Sequence, residues 1–189
     1  MVDLDDKIYI QQVLDGDTSS YTCLVDKYKN MVFTVCFRIL GQREDAEDAA
    51  QVSFMKAYRN LHAFEGTSKF STWIYTIAYR TSISKTRLKK IDTVSDDFHI
   101  DIATDDTIPQ LEELKGQEQE FYVKKAMEEL PQIDGVIVSL FYMDECSISE
   151  IVEVTGLSES NVKVKLHRAR KQLKVSLERL LQLEMKSII

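Results

Sequence analysis

The stretch Glu145–Leu173, "ECSISEIVEVTGLSESNVKVKLHRARKQL", decides the fold. Ser147 stands three residues before Glu150, an S-x-x-E capping box that opens a short helix. Gly156 follows where a tight turn is needed, and Ser158 is placed to cap a second, longer helix. Short helix, glycine turn and longer helix together form the helix-turn-helix signature. On the second helix, Val162, Leu166, Ala169 and Leu173 recur at helical spacing and predict the inward stripe. The other positions carry Ser160, Lys163, Val164, Lys165, His167, Arg168 and Lys171. Early residues of such a helix reach base edges in the major groove, and its cations pair with phosphates. Lys and Arg also hydrogen-bond guanine, and Val164 is placed to meet a thymine methyl. A basic, merely solvated helix is the alternative; turn, caps and charge together favour duplex DNA.

Upstream lies a second basic island, "KFSTWIYTIAYRTSISKTRLKK" from Lys69 to Lys90. Between Gly66 and Ile91 there are six Lys or Arg, four aromatics and no Asp or Glu, although the whole chain carries a net charge of −7. Charges further apart than about 8–10 Å are screened, so an acidic protein binds a polyanion where its cations are gathered. A helix is predicted from about Ser71, with Trp73, Ile74, Ile77, Ala78 and Thr81 as its core stripe. Thr72, Tyr75, Thr76, Tyr79 and Ile83 then share another face, flanked by Arg80 and Arg87 and extended by Lys85, Lys89 and Lys90. Rings plus cations without acids suit single-stranded nucleic acid, since bases stack on aromatics while cations follow the backbone. The preceding loop offers backbone donors and room for an unstacked base. Against this stands the reading that the tyrosines only cover the core.

The rest of the chain reads as helical almost throughout. "KIYIQQVLDGDTSSYTCLVDKYKNMVFTVCFRIL" has helical apolar spacing, broken at Asp15-Gly16-Asp17 and closed by Gly41. "EDAEDAAQVSFMKAYRNL" opens with acids, which suits the positive end of a helix dipole. Ala46, Ala50, Phe54, Ala57 and Leu61 line one face of it; Asp48, Val52, Met55 and Arg59 line the opposite one. Residues 91–115, "IDTVSDDFHIDIATDDTIPQLEELK", are acidic, lack periodicity and contain Pro109. They predict a self-repelling, flexible linker rather than a loop within one domain. Helical spacing resumes to Leu130, and Pro131 starts a new helix. The expected fold is all-α: two small helical domains, 1–91 and 116–189, joined by an acidic linker at 92–115, with the helix-turn-helix in the second.

Length and composition agree with this. A chain of 189 residues with 44% hydrophobic residues holds one sizeable domain or two small ones. Two Pro and six Gly argue against a loop-rich or all-β fold. No apolar run approaches the roughly 18 residues of a membrane span, and the acidic N-terminus is unlike a secretory signal, so a cytoplasmic protein is expected. Cys23, Cys36 and Cys146 lack paired spacing and predict reduced, buried thiols rather than a metal or redox site. There is no phosphate-binding glycine loop, no G-x-S-x-G and no metal-spaced His or Cys. His62, His99 and His167 are far apart. An enzyme is therefore not expected, and neither is a cofactor.

Three segments together resemble one family: "DAEDAAQVSFMKAYRNL", "FEGTSKFSTWIYTIAYR" and "LPQIDGVIVSLFYMDECSISEIVEVTGLSESNVKVKLHRARKQL". In order and spacing they are similar to the bacterial RNA polymerase sigma factors of the extracytoplasmic-function subfamily, over nearly the whole chain outside the linker. The resemblance implies binding to core RNA polymerase through the helix at 44–61, where Asp48 and Gln51 match contact positions and Met55 shares their face. It implies that the loop Phe64–Lys69 (Phe64, Gly66, Thr67, Ser68, Lys69) and the following helix, with Thr72, Tyr75, Thr76, Tyr79, Arg80 and Arg87, hold the −10 element after its strands part. A flipped base would sit in the loop. The helix-turn-helix would read the −35 element of promoter DNA as duplex, the linker would run toward the RNA exit path, and an anti-sigma factor is an expected partner. The chain departs from the family pattern at Val52, where Glu is usual, and at Asn161 and Val164, where Thr and Ser are usual. It also departs at Gly135, where Arg is usual, inside a predicted helix and at a cost of about 1 kcal/mol relative to Ala.

Two other functions fit parts of the chain. A helix-turn-helix regulator binding duplex DNA without polymerase explains residues 120–189 but not the acid-free aromatic island. A protein-binding adaptor would use both basic islands on acidic partners.

Overall fold

The computed structural model describes residues 4–86 and 116–187. The expected linker at 92–115, and Arg87, Lys89 and Lys90, lie outside the described residues. Among these residues every regular element is helical. The N-terminal half contains α1 (Leu4–Leu14), α2 (Tyr21–Leu40), α3 (Arg43–Arg59) and α4 (Phe70–Thr86). The C-terminal half contains α5 (Gln117–Glu128), α6 (Gln132–Tyr142), α7 (Ile148–Thr155) and α8 (Glu159–Ser187).

The helix ends follow from local chemistry. Gly41 closes α2 with a left-handed φ of 73°, and its N–H donates 2.9 Å to the Phe37 carbonyl. Helix α3 has Glu44 and Asp45 in its first turn and Lys56 and Arg59 in its last, so both ends of its dipole are compensated. Pro131 stands at the entry to α6, as expected. The predicted capping box is present on α7: the Glu150 N–H donates to the Ser147 hydroxyl, and the Ser147 N–H donates 2.8 Å to the Glu150 carboxylate. Gly156, with φ 73°, makes the turn, and the Asn161 N–H donates to Ser158 at the start of α8.

Alanines at 46, 49, 50 and 57 are buried on α3, and small side chains let it lie close to α2, whose Leu24, Val32, Val35 and Ile39 are buried. Phe54, expected in that stripe, is only half-buried, while Ser53 is fully buried and donates to the Ala49 carbonyl. Helix α4 lies across α2 and α3. In the C-terminal half, Val136, Ile137, Leu140, Ile151, Val154, Val162 and Leu166 bring α6, α7 and α8 together. The inward stripe predicted for α8 is correct, with Leu173 half-buried at its end. A second small cluster joins Tyr122 and Ala126 of α5 to Leu177 and Leu181 far along α8.

The two halves dock directly. Helix α6 packs on α2 and α7 packs on α4, so their apolar residues form one continuous core. Cys36 and Cys146 are buried as expected, but Cys23 is exposed because it lies on the outer side of α2 between the inward positions Ser20 and Leu24.

Removing the Ser147 cap leaves an N–H at the start of α7 without its acceptor. Ser147→Ala is expected to lower stability by about 1 kcal/mol, read as a shift in the urea midpoint at constant slope. An unchanged midpoint would mean that the cap does not hold the turn.

Candidate nucleic-acid interface

The second basic island forms α4 and the loop before it. In that loop Glu65, Gly66 and Thr67 are exposed, Ser68 and Lys69 are half-buried, and Gly66 has a left-handed φ of 70°. Phe64 is half-buried, 5.6 Å from Phe70 and 5.2 Å from Trp73 between ring centroids, so an aromatic cluster anchors the loop to α4.

On α4 itself both predicted faces are inside: Ile74, Ala78 and Thr81 of the expected core stripe are buried, and so is most of the other face. Thr72, Tyr75, Thr76 and Tyr79 are buried, while Trp73 and Ile77 are half-buried. The expected aromatic DNA face therefore points into the protein in this arrangement. The cause is the number of neighbours: α2 and α3 cover part of α4 and α7 covers another part, so more than one stripe is inside. Tyr75 meets Tyr28 of α2 edge-on at 6.1 Å. Its hydroxyl lies near Asp144, close enough to feel that charge but without good hydrogen-bond geometry, and burial above all raises its pKa. Tyr79 is pushed up to about 12 by burial, and its hydroxyl has no partner. Arg80 and Lys85 remain exposed at the far end.

Lys69 reaches across to the other half and pairs with Glu150 of α7 at 2.9 Å. Burial pushes the Glu150 carboxyl up, but the donors Lys69 and Ser147 outweigh it and hold it below its ordinary value. Next to this pair, burial raises Asp144, and burial with the Asp144 and Glu150 charges pushes the Cys146 thiol up to about 12. Sequence reading missed Asp144 altogether and saw Glu150 only as a cap.

On α8, Ser160, Arg168 and Lys171 are exposed, and Lys163 and His167 are half-buried. Lys163 pairs with Glu159 one turn earlier at 2.6 Å. Two expected contact residues lie elsewhere. Val164 is buried although it lies roughly opposite Val162 and Leu166 around the helix, so more than one side of α8 is covered. Lys165 points at Asp134 of α6, 2.8 Å away, and ties α6 to α8 as a largely buried ion pair. The accessible recognition surface is thus narrower than the sequence suggests.

On α3, Asp48, Gln51, Val52 and Met55 are all exposed on the side away from the alanines. Val52, Met55 and Tyr58 are large apolar residues left in solvent on this helix. Among the described residues there is no His, Cys, Asp and Glu cluster able to hold a metal ion. The arrangement suits binding: exposed cations on two helices and an apolar, weakly charged patch on a third.

Known proteins share this organisation. The model of Sigma-70 region 2 matches residues 24–90, and that of Sigma-70, region 4, matches residues 120–173. The ECF RNA polymerase sigma factor SigW of Bacillus subtilis is 33% identical over 177 residues, covering 89% of this chain and 94% of the relative. The ECF RNA polymerase sigma-E factor of Haemophilus influenzae is 28% identical over 187 residues, covering 94% and 98%. Two solved structures share the fold. CnrH, in complex with the cytosolic domain of CnrY, has a TM-score of 0.64 at 19% identity, over 93% of this chain and 98% of that one. The sigma factor RpoE of Bartonella quintana, in complex with the anti-sigma factor NepR, has a TM-score of 0.61 at 20% identity, over 84% and 96%.

The unpaired Tyr79 hydroxyl generates a stability prediction. Tyr79→Phe keeps the ring and deletes a buried polar group with no partner, so stability is expected to rise by about 1 kcal/mol. Thermal unfolding measures it; a lower melting temperature would reveal a partner for the hydroxyl.

Proposed function

The chain belongs to the extracytoplasmic-function sigma factors of the sigma-70 family, and from that premise we propose the role of each part. The protein is an alternative sigma factor. It binds core RNA polymerase and directs promoter recognition and strand opening at transcription initiation. Sigma factors are initiation factors rather than enzymes in themselves. Residues 1–91 carry polymerase binding and the −10 element, 116–189 carry the −35 element, and 92–115 connect them. Among the described residues no helix is long and apolar enough to cross a membrane, and a cytoplasmic location fits a partner of polymerase. An anti-sigma factor is the expected protein regulator, since RpoE was solved with one.

One observation supports this reading over a simple duplex-binding regulator: the chain has two nucleic-acid elements of different kinds. The helix-turn-helix presents Ser160, Lys163, His167, Arg168 and Lys171 to a closed major groove. From Gly66 through α4 the chain gathers rings and cations without acids, which suits separated strands. The −10 assignment covers Phe64, Gly66, Thr67, Ser68, Lys69 and Arg80, with Thr72, Tyr75, Thr76 and Tyr79 acting once α4 is uncovered. Asp48, Gln51 and Met55 are proposed to meet polymerase, and the exposed Val52 and Tyr58 extend that patch.

Transcription by core polymerase on a promoter library, with and without the protein, tests the reading as a whole. Asp48→Ala with Gln51→Ala is expected to spare the fold and weaken polymerase binding by about 2 kcal/mol if the pair is central to the interface. Unchanged affinity in a titration would remove them from it. Lys163→Ala with Arg168→Ala is expected to weaken holoenzyme binding on duplex and pre-opened promoters alike. The salt slope should fall by about 2, on the order of one for each phosphate no longer neutralised. A defect confined to the duplex template would place these cations in melting rather than in −35 binding.

A further inference from the structure

Gly135 is the fourth of the eleven residues of α6, inside a helix that gains nothing from glycine, and its backbone is not in the left-handed region. The neighbour across the interface supplies a reason. A Cβ at this position would lie 3.3 Å from Arg38 Cδ, a tight contact that Arg38 would have to shift by a few tenths of an ångström to relieve, and 3.9 Å from Cγ, an ordinary one. Arg38 belongs to α2, in the other half. Its stem passes through the notch that Gly135 leaves open, and its guanidinium donates 3.0 Å to the Met127 carbonyl in the last turn of α5. Helix ends leave such carbonyls without an intrahelical partner; this one takes a long 3.4 Å bond from the Leu130 N–H, and the dipole favours a cation there. Burial lowers the Arg38 pKa, partly offset by Glu128, and Nε has no partner.

At the other end of the same interface, Lys69 pairs with Glu150. Between these two anchors α6 lies on α2 and α7 on α4, with Thr72, Tyr75 and Tyr79 buried. The apolar seal around Arg38 is incomplete. A cavity of about 990 Å³ opens beside it between the halves, lined among others by Phe33, Phe37, Val123, Val138, Met143 and Leu173. Packing alone leaves this end of the interface unfilled, so the polar anchors fix how the halves sit.

We propose that the chain closes on itself through a two-point clasp, Arg38 seated against Gly135 and the Met127 carbonyl at one end and Lys69 on Glu150 at the other. The closed form hides the face of α4 that would hold the separated strand, so the free chain takes that strand only after the clasp opens. The role given to α4 rests on the proposed function; the clasp itself does not.

Three cysteines allow a test on the full-length chain, by site-resolved alkylation and mass spectrometry. Cys23 is exposed and labels in every state; Cys36 is buried inside the N-terminal half and reports unfolding; Cys146 is buried close to Lys69 and Tyr75 and reports opening. Gly135→Leu, which displaces Arg38, is expected to raise Cys146 labelling at least tenfold with Cys36 unchanged. Arg38→Ala, which removes the same anchor without crowding the notch, should raise Cys146 labelling as well. Lys69→Gln should raise Cys146 labelling several-fold. Loss of that positive charge by itself makes the thiol a poorer nucleophile, so a rise reads opening. If Gly135→Leu labels Cys36 along with Cys146, that variant has unfolded and Lys69→Gln decides. Wild-type Cys146 labelling in Lys69→Gln, or in a folded Gly135→Leu, overturns the clasp. Core polymerase added to wild type should also raise Cys146 labelling. Opening in the variants but not with polymerase would count against the proposed function and leave the clasp standing.

Discussion

No charged residue interrupts α4 between Phe70 and Tyr79, and a helix without a polar side has to be covered on nearly all of them. Helices α2 and α3 alone do not achieve this, and α7 supplies further cover. Fully burying one large apolar side chain is worth about 1.5–3 kcal/mol. Phe70, Ile74 and Tyr75 are all fully buried, so covering α4 outweighs anything its surface gains from water. The docking of the two halves, the continuity of the core and the hidden tyrosines all follow from that helix.

Electrostatics then sets the fine position. A partly exposed pair such as Lys69–Glu150 contributes only about 0–1 kcal/mol, so its effect lies in register more than in strength. Glu150 is held twice, by Lys69 across the interface and by Ser147 in its own helix cap. The start of the helix-turn-helix is therefore tied to the loop that precedes α4. The Lys165–Asp134 pair works differently, fixing α8 on α6 within one half. Arg80, Lys85 and Lys171 lie outside these contacts, and they are among the exposed cations that can meet a polyanion. Because screening confines their field to about 8–10 Å, the acidic remainder of the chain does not cancel them.

The helix-turn-helix was legible in the sequence because its signals are local. A capping box, a left-handed glycine and a hydroxyl cap act within four residues of their own positions, and the structure has each of them. The ends of α2 and α3 and the alanine face of α3 were legible for the same reason. The inward stripe of α8 followed from period alone, but Val164 and Lys165 did not. Their environment is set by what covers α8, as Asp134 of α6 meets Lys165, and periodicity does not contain that.

The sequence by itself determined the helical class, the order and caps of the helices, the two basic islands and the family. These depend on contacts between residues a few positions apart, or on composition. Only the tertiary structure decided how much of α4 is inside, since its neutral residues look alike on several sides and the second buried face depends on α7, more than sixty residues away. It also set Arg38, almost a hundred residues earlier, against Gly135, where a Cβ would crowd its stem. A local pattern records what one helix needs from water; what a second helix needs from the first is fixed only when the two meet.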